Sequence, residues 1–270
     1  MFEGPSSRRE DEVPLERRLD GFADLAKEST QLAGKLRTNL NSVATGAKLG
    51  VVANAHAQLT RAKSNVTELA TLIDRLELAE QTLGLRGAEA RPSHLADELD
   101  QELAKRGVEV VRGPAPYRLA YPAWFKVERT PKGVVDVVLN GERLDSLRPS
   151  AAADEIAEAV SEKFKAEQFT ELLLNVRQLL RRAGAPGSAL ALNDIYEILV
   201  MEPGRGAPRR KEFSRGAFYY SVHRLAEDLD TKPDAIVDFP NADRSEAIFF
   251  DRRGNSRKYL TVNFTDGLAR

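Results

Sequence analysis

Residues 15–83 read LERRLDGFADLAKESTQLAGKLRTNLNSVATGAKLGVVANAHAQLTRAKSNVTELATLIDRLELAEQTL. They contain no proline and almost no turn chemistry. Apolar residues recur in alternating steps of four and three: Leu15, Leu19, Phe22 and Ala26, then Leu36, Leu40, Val43 and Ala47. The second half repeats the pattern with Leu59, Ala62, Val66, Leu69, Ile73, Leu76 and Leu83. This is the period of a coiled coil or a helical hairpin. Between the halves, Gly46 and Gly50 each weaken a helix by about 1 kcal/mol. Two readings stay open. A continuous helix of about 70 residues would run roughly 100 Å. A reversal near Gly46 and Gly50 would halve that length and let the segment bury its own stripe, which favours the hairpin.

Ahead of this arm, Gly4, Pro5, Ser6 and Ser7 precede a charge run, so residues 1–14 read as a disordered tail. The run lacks the apolar core of a signal peptide. Beyond the arm, Gly84, Gly87 and Pro92 mark a linker. Ser93 then caps a short amphipathic helix over 95–105, with Leu95, Leu99 and Leu103 on one face and Gly107 as its stop. Strand-like runs follow at 108–111, 118–129 and 134–139. They are separated by the turn signals Thr130-Pro131-Lys132-Gly133 and Asn140-Gly141.

Pro149-Ser150 opens a long helix carrying Ile156, Val160, Phe164, Phe169 and Leu172, stopped by Gly184 and Pro186. Two further helices, 193–201 and 212–230, flank a Gly/Pro-rich loop. A β-hairpin is expected near the end, with strands 246–250 and 258–264 around Arg252-Arg253-Gly254-Asn255. The fold class is therefore α+β and mainly helical. The expected parts are a tail (1–14), a helical arm (15–86), a helix with an antiparallel meander (87–148) and a helical C-terminal domain with a β-hairpin (149–270).

Composition excludes several chemistries. The 270-residue chain has no cysteine, so disulfides, thiolate metal sites and cysteine nucleophiles are ruled out. Its three histidines, His56, His94 and His223, are far apart and lack ligand spacing. Neither a GxxxxGK[ST] loop nor a strand followed by GxGxxG occurs, and GxSxG and HExxH are missing. Asp251 ends a strand in the manner of a phosphotransferase nucleophile. Arg253 stands where the second acid would be needed, so a hairpin turn is the better reading. Asp136 and Glu128 are the acids of the meander that a metal site would recruit. No catalytic residue, metal ligand or cofactor is assigned. With a net charge of −1, attraction to nucleic acid must come from a local patch. No apolar window is long enough to span a membrane. The expected location is the cytoplasm, and the excess of 28 arginines over 12 lysines suits a GC-rich bacterial genome.

The C-terminal order of three helices and a β-hairpin, over about 170–264, resembles the winged-helix variation of the helix-turn-helix. That resemblance implies a third helix that reads a DNA groove, flanked by the hairpin. Two basic groups fall where phosphate contacts would then lie. Arg205, Arg209, Arg210, Lys211 and Arg215 occupy the loop and first turn of the third helix. Arg252, Arg253, Arg257 and Lys258 occupy the hairpin tip. Phe213, Phe218, Tyr219 and Tyr220 read as core rather than as a stacking platform. Trp124 reads as core, with an exposed partner anchor as the sharper alternative.

The resulting expectation is a non-catalytic accessory or scaffold subunit of a bacterial cytoplasmic, DNA-linked complex. It would self-associate or dock a protein partner through 15–83. The alternatives are a metal-dependent nuclease with a dispersed acidic site and a purely structural coiled-coil protein.

Overall fold

The arm is a hairpin. The computed structural model describes residues 13–86, 90–184, 189–201, 214–230, 236–243 and 247–265. Helix α1 (Leu15–Lys48) and helix α2 (Val52–Thr82) are joined by a short turn. Gly50 takes a φ of 69°, a left-handed conformation open to glycine, and Val51 N–H donates to the Gly46 carbonyl at 2.9 Å. The chain divides into two units. One comprises the residues up to Glu98 with Arg129–Val135, and the other comprises Leu99–Glu128 with Asp136–Arg270.

In the first unit, the α1 side of the seam is Leu15, Arg18, Phe22, Leu25, Ser29, Leu32, Leu36, Asn39, Val43 and Gly46, all buried or half-buried. The α2 side is Ala55, Gln58, Ala62, Asn65, Leu69, Leu72, Leu76 and Ala79, continued by Leu83. One row of the expected stripe lies in the seam (Leu15, Phe22, Leu36, Val43, Ala62, Leu69, Leu76 and Leu83), and the other is displaced by one position. Leu40, Leu59, Val66 and Ile73 stand outside the seam, exposed. The displaced row runs through Arg18, Asn39, Gln58 and Asn65 as well as Leu25, Leu32 and Leu72, so it is less apolar than the row it replaces, and the apolar period does not select it. At the tip, a Cβ on Gly46 would lie only 3.3 Å from that of Ala55, so small residues must face inward there. At the base, the Arg18 guanidinium donates to the Thr82 carbonyl at 2.6 Å, satisfying the end of α2. Glu98 accepts the Leu15 N–H on both carboxylate oxygens, at 2.8 and 2.9 Å. Just past α2, Arg86 bridges Val134 in the turn after Arg129.

Helix α3 (Pro92–Lys105) leads into a five-stranded antiparallel meander. Its strands are β1 (Val111–Arg112), β2 (Tyr117–Ala120), β3 (Ala123–Arg129), β4 (Val135–Leu139) and β5 (Glu142–Arg143), paired in chain order. The expected strand over 118–129 is two strands folded back at Tyr121-Pro122, so that Leu119 pairs with Trp124. Asn140 and Gly141 both take positive φ, the conformation of a tight two-residue hairpin turn. Trp124 is buried and meets Tyr117 edge-on at 5.0 Å.

The expected long helix from Pro149 is two: α4 (Pro149–Ser161) and α5 (Ala166–Arg182). Phe164 and Phe169 are five residues apart, out of helical phase. Breaking the helix at Glu162 lets both rings reach the same core, 6.0 Å apart. Then come β6 (Ala189–Ala191), α6 (Leu192–Met201) and α7 (Arg215–Leu229). The last strands are β7 (Val237–Asp238), β8 (Ile248–Phe250), β9 (Ser256–Lys258) and β10 (Thr261–Phe264).

A hairpin forms between β8 and β9 as expected, but its second strand stops at Lys258. Tyr259 turns into the core, and β10 leaves the hairpin to sit between β6 and β7. Val262 pairs with Leu190, and Asn263 with Asp238. The order β6-β10-β7 closes one end of the α5, α6 and α7 core, where Leu173, Leu192, Ile195, Phe218, Val222 and Val262 are fully buried. The architecture is α+β, mainly helical, with a long N-terminal helical hairpin and small antiparallel sheets. No helix among the described residues is long and apolar enough to cross a membrane.

Candidate nucleic-acid interface

Of the nine basic residues that sequence places at a phosphate interface, Arg205, Arg209, Arg210 and Lys211 lie outside the described residues. The other five fall into two places. Arg215 opens α7, with its guanidinium 3.4 Å from the Glu197 carboxylate and 5.5 Å from the Tyr196 ring centre, both on α6. Arg252, Arg253, Arg257 and Lys258 share the β8–β9 hairpin. Its turn is built by Asp251, whose Oδ1 accepts N–H groups from Arg253 at 2.8 Å and Asn255 at 2.9 Å, with Gly254 at positive φ. Burial works to raise the Asp251 pKa, but the bonds from Asn255 and Arg253 outweigh it and hold the carboxyl below its usual range.

Three of these four hairpin cations are engaged with acceptors or rings in the same unit. Arg252 lies over the Tyr121 ring at 5.1 Å. Arg257 reaches Asp230, the residue capping α7, at 3.1 Å. The Lys258 ammonium donates to the Asp243 carbonyl at 3.2 Å. Arg253 is exposed at the turn. The Arg257 pair is half solvated, so it contributes little to stability and is easily exchanged for another anion.

In a groove-reading winged helix, the third helix must offer one free face and a free N-terminus. In this fold α7 is wrapped instead. Phe218 packs on Phe169 and Tyr196, with ring centres 6.0 and 5.7 Å away. Tyr220 donates its hydroxyl proton to the Ala159 carbonyl of α4 at 2.9 Å. Tyr121 donates to the Glu227 carboxylate. His223 is fully buried, stacked on Phe249 of β8 at 4.9 Å, with Nδ1 3.0 Å from the Tyr259 hydroxyl. Burial lowers the His223 pKa to about 4 and raises that of Tyr220 to about 12.

The N-terminus of α7 is occupied as well. Glu142, from β5, accepts the Gly216 N–H at 2.8 Å, and a Cβ on Gly216 would sit 2.2 Å from the Glu142 Cγ. A carboxylate at this helix end takes the favourable dipole site that a phosphate would use. Sequence alone did not mark Glu142, because nothing local says that the residue after an Asn-Gly turn will cap a helix 74 positions away.

The aromatic run on α7 is core: Phe218 and Tyr220 are buried, and Tyr219 lies edge-on to Phe218 at 5.4 Å. Phe213 lies outside the described residues. A cleft of about 330 Å³ opens between the meander and β8, lined by Tyr117, Trp124, Lys126, Glu128, Asn140 and Arg143 among others. The Lys126 ammonium donates to Glu128 at 2.6 Å. Arg143 approaches Asp136 at 2.8 Å, a charge contact rather than an aligned hydrogen bond. Glu128 and Asp136 thus each face a cation, an arrangement that favours mutual neutralisation over joint coordination of a metal. Among the described residues no three His, Asp or Glu side chains are grouped to hold a metal ion. Comparison with known proteins finds no matching family model, no matching curated protein and no matching solved structure.

Proposed function

We propose that the chain is a non-catalytic accessory subunit of a bacterial cytoplasmic, DNA-linked assembly, and that it docks through the α1–α2 hairpin. The observation that supports this reading is how the hairpin distributes its apolar residues. Two helices of 34 and 31 residues fully bury only Leu15, Leu32 and Leu72 among their large apolar side chains, and leave Leu40, Val52, Leu59, Val66 and Ile73 in water. A helix pair that only packed on itself would put its largest apolar residues in its seam.

Groove reading by α7 is not part of the proposal, because Glu142, Tyr121 and Ala159 already occupy its N-terminus and flanks. DNA contact in this reading is to backbone phosphates, through Arg252 and Arg253 and the cations Arg209, Arg210 and Lys211, which lie outside the described residues. Such contact is weak, sequence-independent and sensitive to salt.

The test is the mass of native complexes recovered from cells that express the full chain, compared with a chain carrying Leu59→Glu, Val66→Glu and Ile73→Glu. The proposal expects a complex above the monomer mass that the triple variant loses. A native chain that migrates as a monomer, or a variant with an unchanged complex, removes the hairpin as a docking device. A divalent-metal-dependent nuclease assay on the same preparation separates this reading from its enzymatic rival: DNA cleavage abolished by one Asp or Glu substitution would establish the enzyme.

A further inference from the structure

The seam residues of the hairpin weaken toward its tip. Near the base it holds Leu25, Leu32, Leu69, Leu72 and Leu76; toward the tip it holds Asn39, Gln58, Ala62, Asn65 and Gly46. Over that same outer stretch the large side chains stand just outside the seam. On α2 they form an unbroken heptad row, with Val52 73%, Leu59 39%, Val66 53% and Ile73 53% exposed. The register between Gly46 against Ala55 at the tip and Arg18 against Thr82 at the base sets the matching row on α1. It places Ala47 level with Val52, Leu40 with Leu59, Ala33 with Val66 and Ala26 with Ile73.

In an antiparallel helix pair the positions that follow the seam on each helix lie on the same side of the pair. The two rows therefore make one apolar face. The opposite side is built of exposed Glu28, Lys35, Arg61, Glu68 and Arg75. There the register brings Glu28 near the level of Arg75 and Lys35 near that of Glu68, opposite charges that suit a solvated surface. Only one side of the hairpin lacks a partner.

We infer that this face is covered by the same face of a second copy of the chain, giving a four-helix bundle of two hairpins. This rests on the reading of the arm as a docking device and specifies its occupant. Self-complementarity is the argument. The α2 row is large and the α1 row is small at three of four levels. A two-fold axis along the hairpin lays each α2 over the other copy's α1, so Val66 meets Ala33, Ile73 meets Ala26 and Val52 meets Ala47. Three of the four layers then hold two large and two small side chains, as bundle cores do, and the fourth, at Leu40 and Leu59, holds four leucines. The area is sufficient. The rows from Ala26 to Ala47 and from Val52 to Ile73 run about 32 Å, so a face on the order of 20 Å wide covers roughly 640 Å² per copy, at the lower end of the range for stable interfaces. No charged residue lies in either row between Ala26 and Ile73, so pairing buries no unpaired ion. The two-fold also places both hairpin tips at the same end.

The test uses the purified full-length chain. Sedimentation should give about twice the 29.9 kDa chain mass. Leu59→Glu with Val66→Glu should weaken self-association at least about 100-fold, and the milder Val66→Ala roughly 10-fold, which keeps the test readable if the glutamates disturb the helices. Glu28→Gln with Arg75→Gln, on the charged side, should leave the mass unchanged. Because the chain lacks cysteine, Lys48→Cys gives a single spin-label site at the tip. Tips at one end place two labels within about 30 Å, whereas opposed hairpins separate them by about 45 Å or more. A monomer at all concentrations, a dimer indifferent to Val66→Ala and the glutamates, or opposed tips would overturn the inference. The docking reading itself falls only if the complexes recovered from cells are also unaffected by the arm variants.

Discussion

Helices α2 and α7 invert the usual relation between a helix and its surroundings, in opposite senses. Helix α7 has 15 residues, of which only Arg215 and Ala217 are exposed, because it has neighbours all round. Helix α2 has 31 residues and fully buries only Ala62 and Leu72, leaving a row of valine, leucine and isoleucine in water. By its place in the element order α7 should face a ligand, and it is spent on the interior. By its period α2 should face its own partner helix, and half its apolar surface is left unspent. The difference teaches that an amphipathic pattern says how much surface wants burial, not what buries it.

The largest effect should come from the core that wraps α7. Phe249 is 1% exposed and touches Trp124, Tyr220, His223 and Tyr259, so Phe249→Ala should cost about 3–5 kcal/mol of unfolding free energy in urea titrations. Ile73→Ala, at half-exposed Ile73, should move the unfolding of the monomeric chain, measured below the concentration at which copies associate, by less than about 0.5 kcal/mol. Comparable losses at the two positions would break the contrast.

Acid should act on the same core. His223 is neutral when folded, with its pKa lowered from 6.5 to about 4. The unfolded chain binds a proton below pH 6.5 that the folded chain refuses, so stability falls as pH drops from 6.5 to 4 and levels off below. The loss is about 3 kcal/mol. His223→Gln should flatten this slope in pH-dependent thermal unfolding; an unchanged slope would assign the acid sensitivity elsewhere.

A smaller effect is expected where α7 meets β5. Gly216→Ala drives a methyl into Glu142 and displaces the carboxylate from the helix end, for about 1–3 kcal/mol of destabilisation. If Gly216→Ala is neutral in denaturant titrations, the wrapped N-terminus of α7 is looser than its geometry implies.

In the arm the sign reverses. Asn65 is half-buried in the seam, and Asn65→Leu should stabilise the hairpin by roughly 1 kcal/mol, read as slower amide exchange in α2. The smallest effect concerns the hairpin tip. Arg252→Ala with Arg253→Ala should shift stability by at most about 1 kcal/mol, the worth of an exposed cation–π contact. If the tip touches DNA, the same pair should flatten the salt dependence of binding by about two contacts. An unaltered salt slope would leave these arginines as surface.

Much of the fold was legible because its signals are local. The proline-free heptads of 15–83, the Asn140-Gly141 turn and the Gly254 turn each follow from the conformational preferences of a few neighbouring residues. The candidate interface was legible only as a set of cations in two segments; their acceptors, Glu197, Asp230 and the Tyr121 ring, are supplied by distant parts of the chain. Three decisions belonged to tertiary structure alone. The seam keeps the expected Ala62 but passes through Gln58 and Asn65 rather than Leu59 and Val66, a choice that the apolar period does not make and that the close approach of Gly46 to Ala55 fixes at the tip. Strand β10 abandons the hairpin for β6 and β7, because Tyr259 gains a buried partner in His223 that no local pattern encodes. And α7 is covered by Glu142, Tyr121 and Ala159, because long-range contacts are set by which surfaces fit, whereas sequence by itself records only how much of each surface must leave water.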